Sequence, residues 1–162
     1  MLGCRLWFTQ SYYDHSIGFG NKITDQKLTE SRIKKIQGLD LLDVRTEMRS
    51  EKKTIKVSAC HHESGITFSG YEIHIGETTG KDCLNPFSLI QNKKDGAISQ
   101  NGLVMGSYVH GMFNNNRFRS FFIKKVFGIN SKLNYKKKIN ESLDEFSYLI
   151  QKQTNIGDLL NF

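Results

Sequence analysis

Cysteine and histidine are the residue types here that could do nucleophilic, acid–base or metal chemistry, and the sequence has three of the first and five of the second. Cys4, Cys60 and Cys83 form no Cys-x-x-Cys pair and are odd in number, so their spacing disfavours a disulfide framework and a structural zinc site. His61 and His62 are adjacent, and neighbouring residues of a strand point to opposite faces, so one ion could hardly bind both rings. We therefore expect a polar turn there and no metal site.

His110 is the histidine whose position favours catalysis. It ends a strand-like run and comes directly before Gly111, so its ring can stand at the carboxyl edge of a sheet, where open α/β sheets bind ligands. A histidine in that position can take and return a proton as general base and acid. A lone histidine at the end of a strand can equally be structural, and the residues by themselves leave both interpretations open.

Alternation of apolar and polar residues predicts the strands that must hold these side chains. The segments from Thr54 to Cys60 and from Ile66 to Ile75 have a period of two, which indicates half-buried strands. Shorter strands are predicted at Phe87–Ile90, Ala97–Ser99 and Leu103–Val109. The polar and charged segment Asn21–Gln37 predicts a connecting loop.

Turn residues and a helix follow these strands. Lys93–Gly96 and Gln100–Gly102 contain Asp-Gly and Asn-Gly, which tolerate positive φ and predict turns. Asn114–Asn116 is a suitable helix cap, and the apolar residues after it have i, i+3, i+4 spacing, so a helix is predicted over Arg117–Phe127 and should end at Gly128.

The end of the sequence predicts a second amphipathic helix, from Asn140 to about Lys152, and a short closing turn or helix at Ile156–Leu160. A single proline and the absence of repeats give no sign of a flexible linker, and 162 residues are enough for one core. A strand-rich middle followed by helices is typical of an α/β domain.

The net charge of +7 is unevenly distributed, because the segment from Gly96 to Asn140 has eight basic residues and no acidic one. Such a stripe can bind phosphates or nucleic acid, or it can be the solvated face of a helix and its loop. No aromatic nucleic-acid motif accompanies it, so nucleic acid is not the expected partner. No apolar run approaches the ~18–20 residues of a bilayer span, and the start has no signal-peptide pattern, so a cytoplasmic location without membrane contact is expected.

Four motifs together resemble one known family, the cobyric acid synthases and the related cobyrinic acid a,c-diamide synthases. Gly70–Thr78 is similar to their GYEIHxGxT segment, and Asp95–Ala97 with Gly106–Asn114 is similar to their DGA…GTYLHGxFDN segment. Phe118-Arg119 stands where the family has an FR pair. Gly38–Leu42, with Thr46 and Lys53, resembles its GLGLLxxxT…K stretch, and the tail from Leu143 to Leu160 resembles its last helix.

The resemblance covers roughly residues 20 to 162 and implies a class I glutamine amidotransferase-like domain. Its fold would be a flavodoxin-like parallel sheet flanked by helices, with some antiparallel strands added. We expect residues 1–20 to be a divergent segment in place of the family's nucleophile motif. Residues 21–162 would be the C-terminal part of the domain, without its leading strands.

By this resemblance, a cysteine thiolate attacks the side-chain amide of glutamine, and His110 takes the thiol proton and returns one to ammonia. Glu72, His74 and Tyr108 are possible orienting or pocket residues. Met112 stands two residues after His110, where many class I amidotransferases have a glutamate. The family's synthetase half uses ATP and Mg to amidate corrinoid carboxylates in cobalamin biosynthesis. No phosphate-loop motif occurs here, so no cofactor is expected in this chain, and the synthetase with its ATP and corrinoid would be a partner domain or chain.

The nucleophile is the departure from the family. Its motif is CGGYQMLG, and the spacing to the Gly38–Leu42 stretch matches the family's if Gly20 is the last glycine of that motif. The nucleophile position then falls on Tyr13, whose phenol has a usual pKa near ~10 and cannot replace a thiolate. Cys4 is a nearby thiol, but its neighbours do not recreate the glycines of the turn. We therefore predict a truncated, inactive copy; the alternatives are a subunit active only with a partner's thiol or Cys4, and a non-catalytic basic binding module.

Overall fold

The computed structural model describes residues 19–29 and 32–153, apart from the side chains of 51–53 and 74–75. The strands of this part of the chain are β1 Lys22–Thr24, β2 Lys35–Gln37, β3 Val44–His61, β4 Thr67–Gly80, β5 Ser88–Ile90, β6 Lys93–Asp95, β7 Ala97–Ile98, β8 Met105–Gly106 and β9 Val109–His110. Its helices are α1 Asn116–Phe127 and α2 Tyr135–Gln153, with single 3₁₀ turns at Asp82–Leu84 and Met112–Asn114.

The long antiparallel hairpin β3–β4 is the centre of a seven-stranded sheet. β1 pairs parallel with the start of β3, β5 pairs antiparallel with its end, and β9 pairs antiparallel with β4. β7 and β8 form a separate two-stranded sheet. The described region is therefore mixed α/β with one parallel strand pair, and the doubly wound amidotransferase-like arrangement stays a prediction.

Alternation along β4 gives the sheet one packed face and one open face. Phe68 and Gly70 are buried, whereas the residues that alternate with them are exposed, as the period of two predicts: Thr67, Ser69 and Tyr71. At Gly70 a Cβ would lie 2.4 Å from the backbone oxygen of His110. Only glycine therefore lets β9 approach β4 so closely.

The packed face holds an aromatic core under α1. Phe118 is 0% exposed, and its ring centroid lies 4.7 Å from that of Phe68, 5.7 Å from that of Phe113 and 5.8 Å from that of Phe122. These rings join the hairpin to the helix that follows His110, so the core fixes the helix against the strands that bear the candidate site. A second, smaller cluster contains Leu42, Val44 and Ala97.

Helix α1 confirms the predicted helix, its asparagine cap and its end at Gly128. The side chain of Asn115 accepts a hydrogen bond of 2.9 Å from the backbone N–H of Phe118, which satisfies a free donor of the first turn. Gly128 ends the helix with φ of 70°, a left-handed conformation that glycine adopts without strain. The predicted start at Arg117 is one residue late.

Two local predictions were wrong in part. The predicted loop Asn21–Gln37 contains β1 and β2, which are three residues each and pair antiparallel. In the turn predicted at Lys93–Gly96, the positive φ is confirmed at Gly96 (74°), but Lys93–Asp95 form β6. The chain reverses before that strand, at Gln91 and Asn92, whose φ values are 49° and 66°. The turn predicted at Gly102 is confirmed, with φ of 68°.

Helix α2 begins at Tyr135, five residues before the predicted start, and none of its residues is buried. Arg119 holds the loop before it by donating to the backbone oxygens of Phe113 and Leu133 and to the side chain of Asn116. Neither α1 nor α2 combines the length and apolar composition that crossing a bilayer requires. The closing segment predicted at Ile156–Leu160 lies outside the described residues.

Candidate functional site

His110 ends β9, the short strand at the outer edge of β4. Its backbone partner across the ladder is Tyr71, which is 51% exposed, and directly opposed residues of an antiparallel pair share a face. The half-buried His110 therefore lies on the open face of the sheet. Gly111 follows with φ of 82° and turns the chain sharply into the 3₁₀ turn, so His110 stands at the carboxyl end of a strand.

The side chain of Tyr108 is hydrogen-bonded to the β3–β4 hairpin and not to His110. Its hydroxyl hydrogen-bonds the hydroxyl of Thr78, which in turn lies 2.8 Å from that of Thr46. Burial raises the pKa of the Tyr108 phenol, although its hydrogen bonds with the two threonines oppose the shift. Its backbone oxygen accepts a hydrogen bond of 3.1 Å from the N–H of Ile73. The geometry makes Tyr108 a neutral anchor for the strand that bears His110.

Asp95 is a buried carboxylate in the same region whose function the sequence did not reveal. It is 6% exposed and accepts hydrogen bonds from the hydroxyls of Ser88 (2.7 Å) and Ser107 (2.6 Å) and from the N–H of Tyr108 (3.1 Å). In the sequence this residue is part of an Asp-Gly pair, which we interpreted as a turn. The structure shows that its carboxylate joins three separate segments.

Glu72 and His74 were the other predicted pocket residues. The backbone of Glu72 is opposite Val109, one position away from the Tyr71–His110 pair, so Glu72 and His110 lie on opposite faces of the sheet. The backbone of His74 pairs with that of Lys53. The register does not bring Glu72 to the imidazole of His110, and the orienting role of both residues stays a prediction.

The two described cysteines make no hydrogen bond with His110. Cys60 pairs with Thr67, four residues along β4 from Tyr71, which is about 13 Å along the strand. Cys83 lies in the 3₁₀ turn Asp82–Leu84, and its sulfur is 3.8 Å from the backbone oxygen of Thr78. The sulfur of Cys60 likewise contacts a backbone oxygen, that of His61, whereas a thiol–imidazole pair needs hydrogen-bond distance between sulfur and ring.

The proposed position of the nucleophile cannot be compared directly, because Tyr13 and Cys4 lie outside the described residues. Gly20, the residue that sets the alignment, is described and buried. A Cβ there would lie 2.4 Å from the backbone oxygen of Val44. Glycine is required at this position by close backbone approach.

The adjacent pair of His61 and His62 is split between the core and the surface. His61 is 2% exposed, its ring packs against Phe87, Phe118 and Phe121, and its Nδ1 accepts from the N–H of Ser64 at 3.2 Å. Burial lowers the pKa of His61, mainly by desolvating the charged ring. Within the described residues, no group of three His, Cys, Asp or Glu side chains could hold a metal ion.

A cavity of about 430 Å³ opens beside His61, between α1 and the loop after β7. Its wall combines apolar side chains such as Met105 and Phe122 with the ion pair of Lys125 and Glu63 at the rim. His110 is not among its lining residues. The cavity and the candidate site are separate features.

Comparison with known proteins gives the family of the chain. A family model described as a CobB/CobQ-like glutamine amidotransferase domain matches residues 17–118. The cobyric acid synthase of Jannaschia sp. is 37% identical over 142 residues, which is 88% of this chain and 29% of that protein. The cobyric acid synthase of Allorhizobium ampelinum is 42% identical over 130 residues, 79% of this chain and 26% of that protein.

The cobyric acid synthase of Brucella canis is 37% identical over 140 residues, 86% of this chain and 29% of that protein. The chain thus spans less than a third of the length of these curated relatives. The matched residues include the long hairpin, Asp95 and His110. The chain belongs to the CobB/CobQ-like family of glutamine amidotransferase domains.

Proposed function

We propose that this chain carries the histidine half of a glutaminase site of the cobyric acid synthase type and does not hydrolyse glutamine by itself. The observation that carries the proposal is the position of His110, at a strand end on the open sheet face, with no hydrogen-bond partner for its ring among the described residues. The two described cysteine sulfurs contact backbone oxygens, those of His61 and Thr78, and the aligned nucleophile position is Tyr13.

In the proposed reaction, His110 would take the proton of a thiol as the thiolate attacks the amide carbon of glutamine. The imidazolium would return that proton to the leaving nitrogen, so that ammonia departs and a thioester of glutamate remains. Water then hydrolyses the thioester, and His110 again serves as the base. A synthetase unit that binds ATP and a corrinoid would consume the ammonia.

An ammonia-release assay with glutamine tests the inactivity of the chain. The purified 162-residue protein should release no ammonia above the rate of the no-enzyme control, and His110→Ala should be indistinguishable from it. Turnover that His110→Ala abolishes would refute the proposal, because it would require a functional nucleophile within this chain.

Labelling with a glutamine-like diazoketone, followed by peptide mass spectrometry, tests the alternative of a hidden nucleophile. The proposal predicts no adduct on Cys4, Cys60 or Cys83 and no protection by excess glutamine. An adduct on Cys4 that glutamine suppresses would show that Cys4 reaches His110 and that the chain is an active subunit. Labelling of a co-purified partner's thiol, lost with His110→Ala, would instead support the histidine-half assignment.

A further inference from the structure

We propose that Asp95 and Ser107 are positioning residues that fix the strand bearing His110. The inference rests on the proposed role of His110 and names the groups that hold it in place. Asp95 is the last residue of β6 and Ser107 precedes β9, so their contact joins two segments twelve residues apart. The contact lies three residues before His110 in the chain.

Ser107 bridges the carboxylate of Asp95 and the backbone of β9 by hydrogen bonds. Its hydroxyl donates to Oδ2 of Asp95 at 2.6 Å and accepts from the N–H of Val109 at 3.0 Å. Oδ1 of Asp95 accepts from the N–H of Tyr108 at 3.1 Å. Both N–H groups that precede His110 are thus held, directly or through one hydroxyl, by a single buried carboxylate.

This arrangement requires both carboxylate oxygens of Asp95 to accept hydrogen bonds. Oδ2 accepts from two hydroxyls, those of Ser88 and Ser107, and an ionised carboxylate has acceptors only. In Asp95→Asn, an NH₂ group in place of Oδ2 would meet two hydroxyls as a donor. Ser107 already accepts from Val109, so its own O–H would lose its acceptor.

Asp82 provides a matched control, because it is also 6% exposed and accepts from a backbone N–H, that of Asp43, at 2.8 Å. Both Asp→Asn variants remove one buried negative charge. Asp82→Asn leaves the contacts of the His110 strand in place. A difference between the two variants at His110 therefore reports positioning and not a general loss of stability.

The experiment is amide hydrogen exchange by NMR, together with the imidazole C–H resonances of His110, on the complete chain. In Asp95→Asn, protection of the Tyr108 and Val109 amides should fall by roughly tenfold or more, as expected for loss of charge-assisted hydrogen bonds. The His110 resonances should move as well. In Asp82→Asn, the same signals should stay at their wild-type values.

Equal behaviour of the two variants, or unchanged Val109 and His110 signals in Asp95→Asn, would overturn the inference. If Asp95→Asn does not fold, Ser107→Ala carries the test, since it should lower Val109 protection and move the His110 resonances while amides in α1 keep theirs. No change at Val109 in Ser107→Ala is also a refutation. None of these readouts depends on glutamine turnover, so an active chain would overturn the proposed function and leave the positioning role standing.

Discussion

Gly96→Ala is a substitution for which the structure predicts a large local effect. Gly96 has φ of 74°, and a Cβ added there would lie 2.0 Å from the backbone oxygen of Gly106 and 3.0 Å from Cβ of Phe87. It follows Asp95 directly and precedes the pairing of Ala97 with Gly106 in the two-stranded sheet. The substitution therefore strains the backbone and drives two strands apart.

The expected loss of stability has two parts. The left-handed backbone costs an alanine about 1–2 kcal/mol, less the several tenths of a kcal/mol by which alanine lowers the entropy of the unfolded chain. The Gly106 oxygen must also retreat by about 1 Å to reach the 3.0 Å that real contacts respect. That movement breaks the short β7–β8 pairing, and each buried hydrogen bond lost costs roughly 1–3 kcal/mol. We expect a total of about 2–4 kcal/mol.

Gly102→Ala measures the first part alone, so the difference between the two variants gives the second part. Gly102 has φ of 68° but no atom within 4 Å of its added Cβ, so it should lose about 1 kcal/mol from backbone strain alone. Urea unfolding followed by circular dichroism gives both free energies of unfolding. If the two variants lose the same stability, the close approach of Gly96 to Gly106 is not what requires glycine, and the reasoning fails.

Three further predictions address the core, the loop before α2 and the candidate site. Burial lowers the pKa of His61 below its usual 6.5. The unfolded chain therefore takes up the proton first, and the free energy of unfolding falls as the pH drops below 6.5. His61→Phe should reduce this loss in unfolding curves between pH 7.5 and 5.5. Arg119→Lys keeps the charge, but a single ammonium nitrogen cannot reach the three acceptors that two guanidinium nitrogens now reach. The free energy of unfolding should fall by about 2 kcal/mol. Tyr71→Cys should place a thiol beside His110, and this thiol should react with iodoacetamide about tenfold faster at neutral pH than that of Ser69→Cys; equal rates would contradict the position of Tyr71 directly opposite His110.

The elements that the sequence predicted well are those with a strong local signal. The strand from Ile66 to Ile75 was predicted because its apolar residues alternate, and β4 extends this segment to Gly80. Helix α1 combined an asparagine cap, i, i+4 phenylalanines and a terminal glycine. In contrast, β1 has the sequence Lys-Ile-Thr and is held by backbone pairing with β2 and β3. Three residues carry no period, so sequence could not separate β1 from a polar loop.

Long-range contacts explain what sequence missed at the candidate site. The strand-like run that stops at Gly111 predicted His110 at a strand end, and the structure confirms this. An Asp-Gly pair predicts a turn whether its carboxylate faces solvent or the interior, so nothing local showed that Asp95 binds Ser107. That contact depends on how two distant segments pack, which only the fold decides.

The register of β3, β4 and β9 also determines what kind of thiol could complete the site. Because Tyr71 is opposite His110, a side chain that reaches the imidazole must lie within a few residues of Tyr71 on the open face or approach that face from outside the sheet. Cys60 meets neither condition, since its strand position fixes it about 13 Å from Tyr71 along the sheet. Cys83 lies in the 3₁₀ turn after β4, where its sulfur contacts the backbone oxygen of Thr78. A rotamer change spans only a few ångströms, so Cys60 could approach His110 only if β3 slipped along β4 by about four residues, which would break the long ladder between the two strands. The register of the sheet therefore excludes Cys60 as the partner of His110.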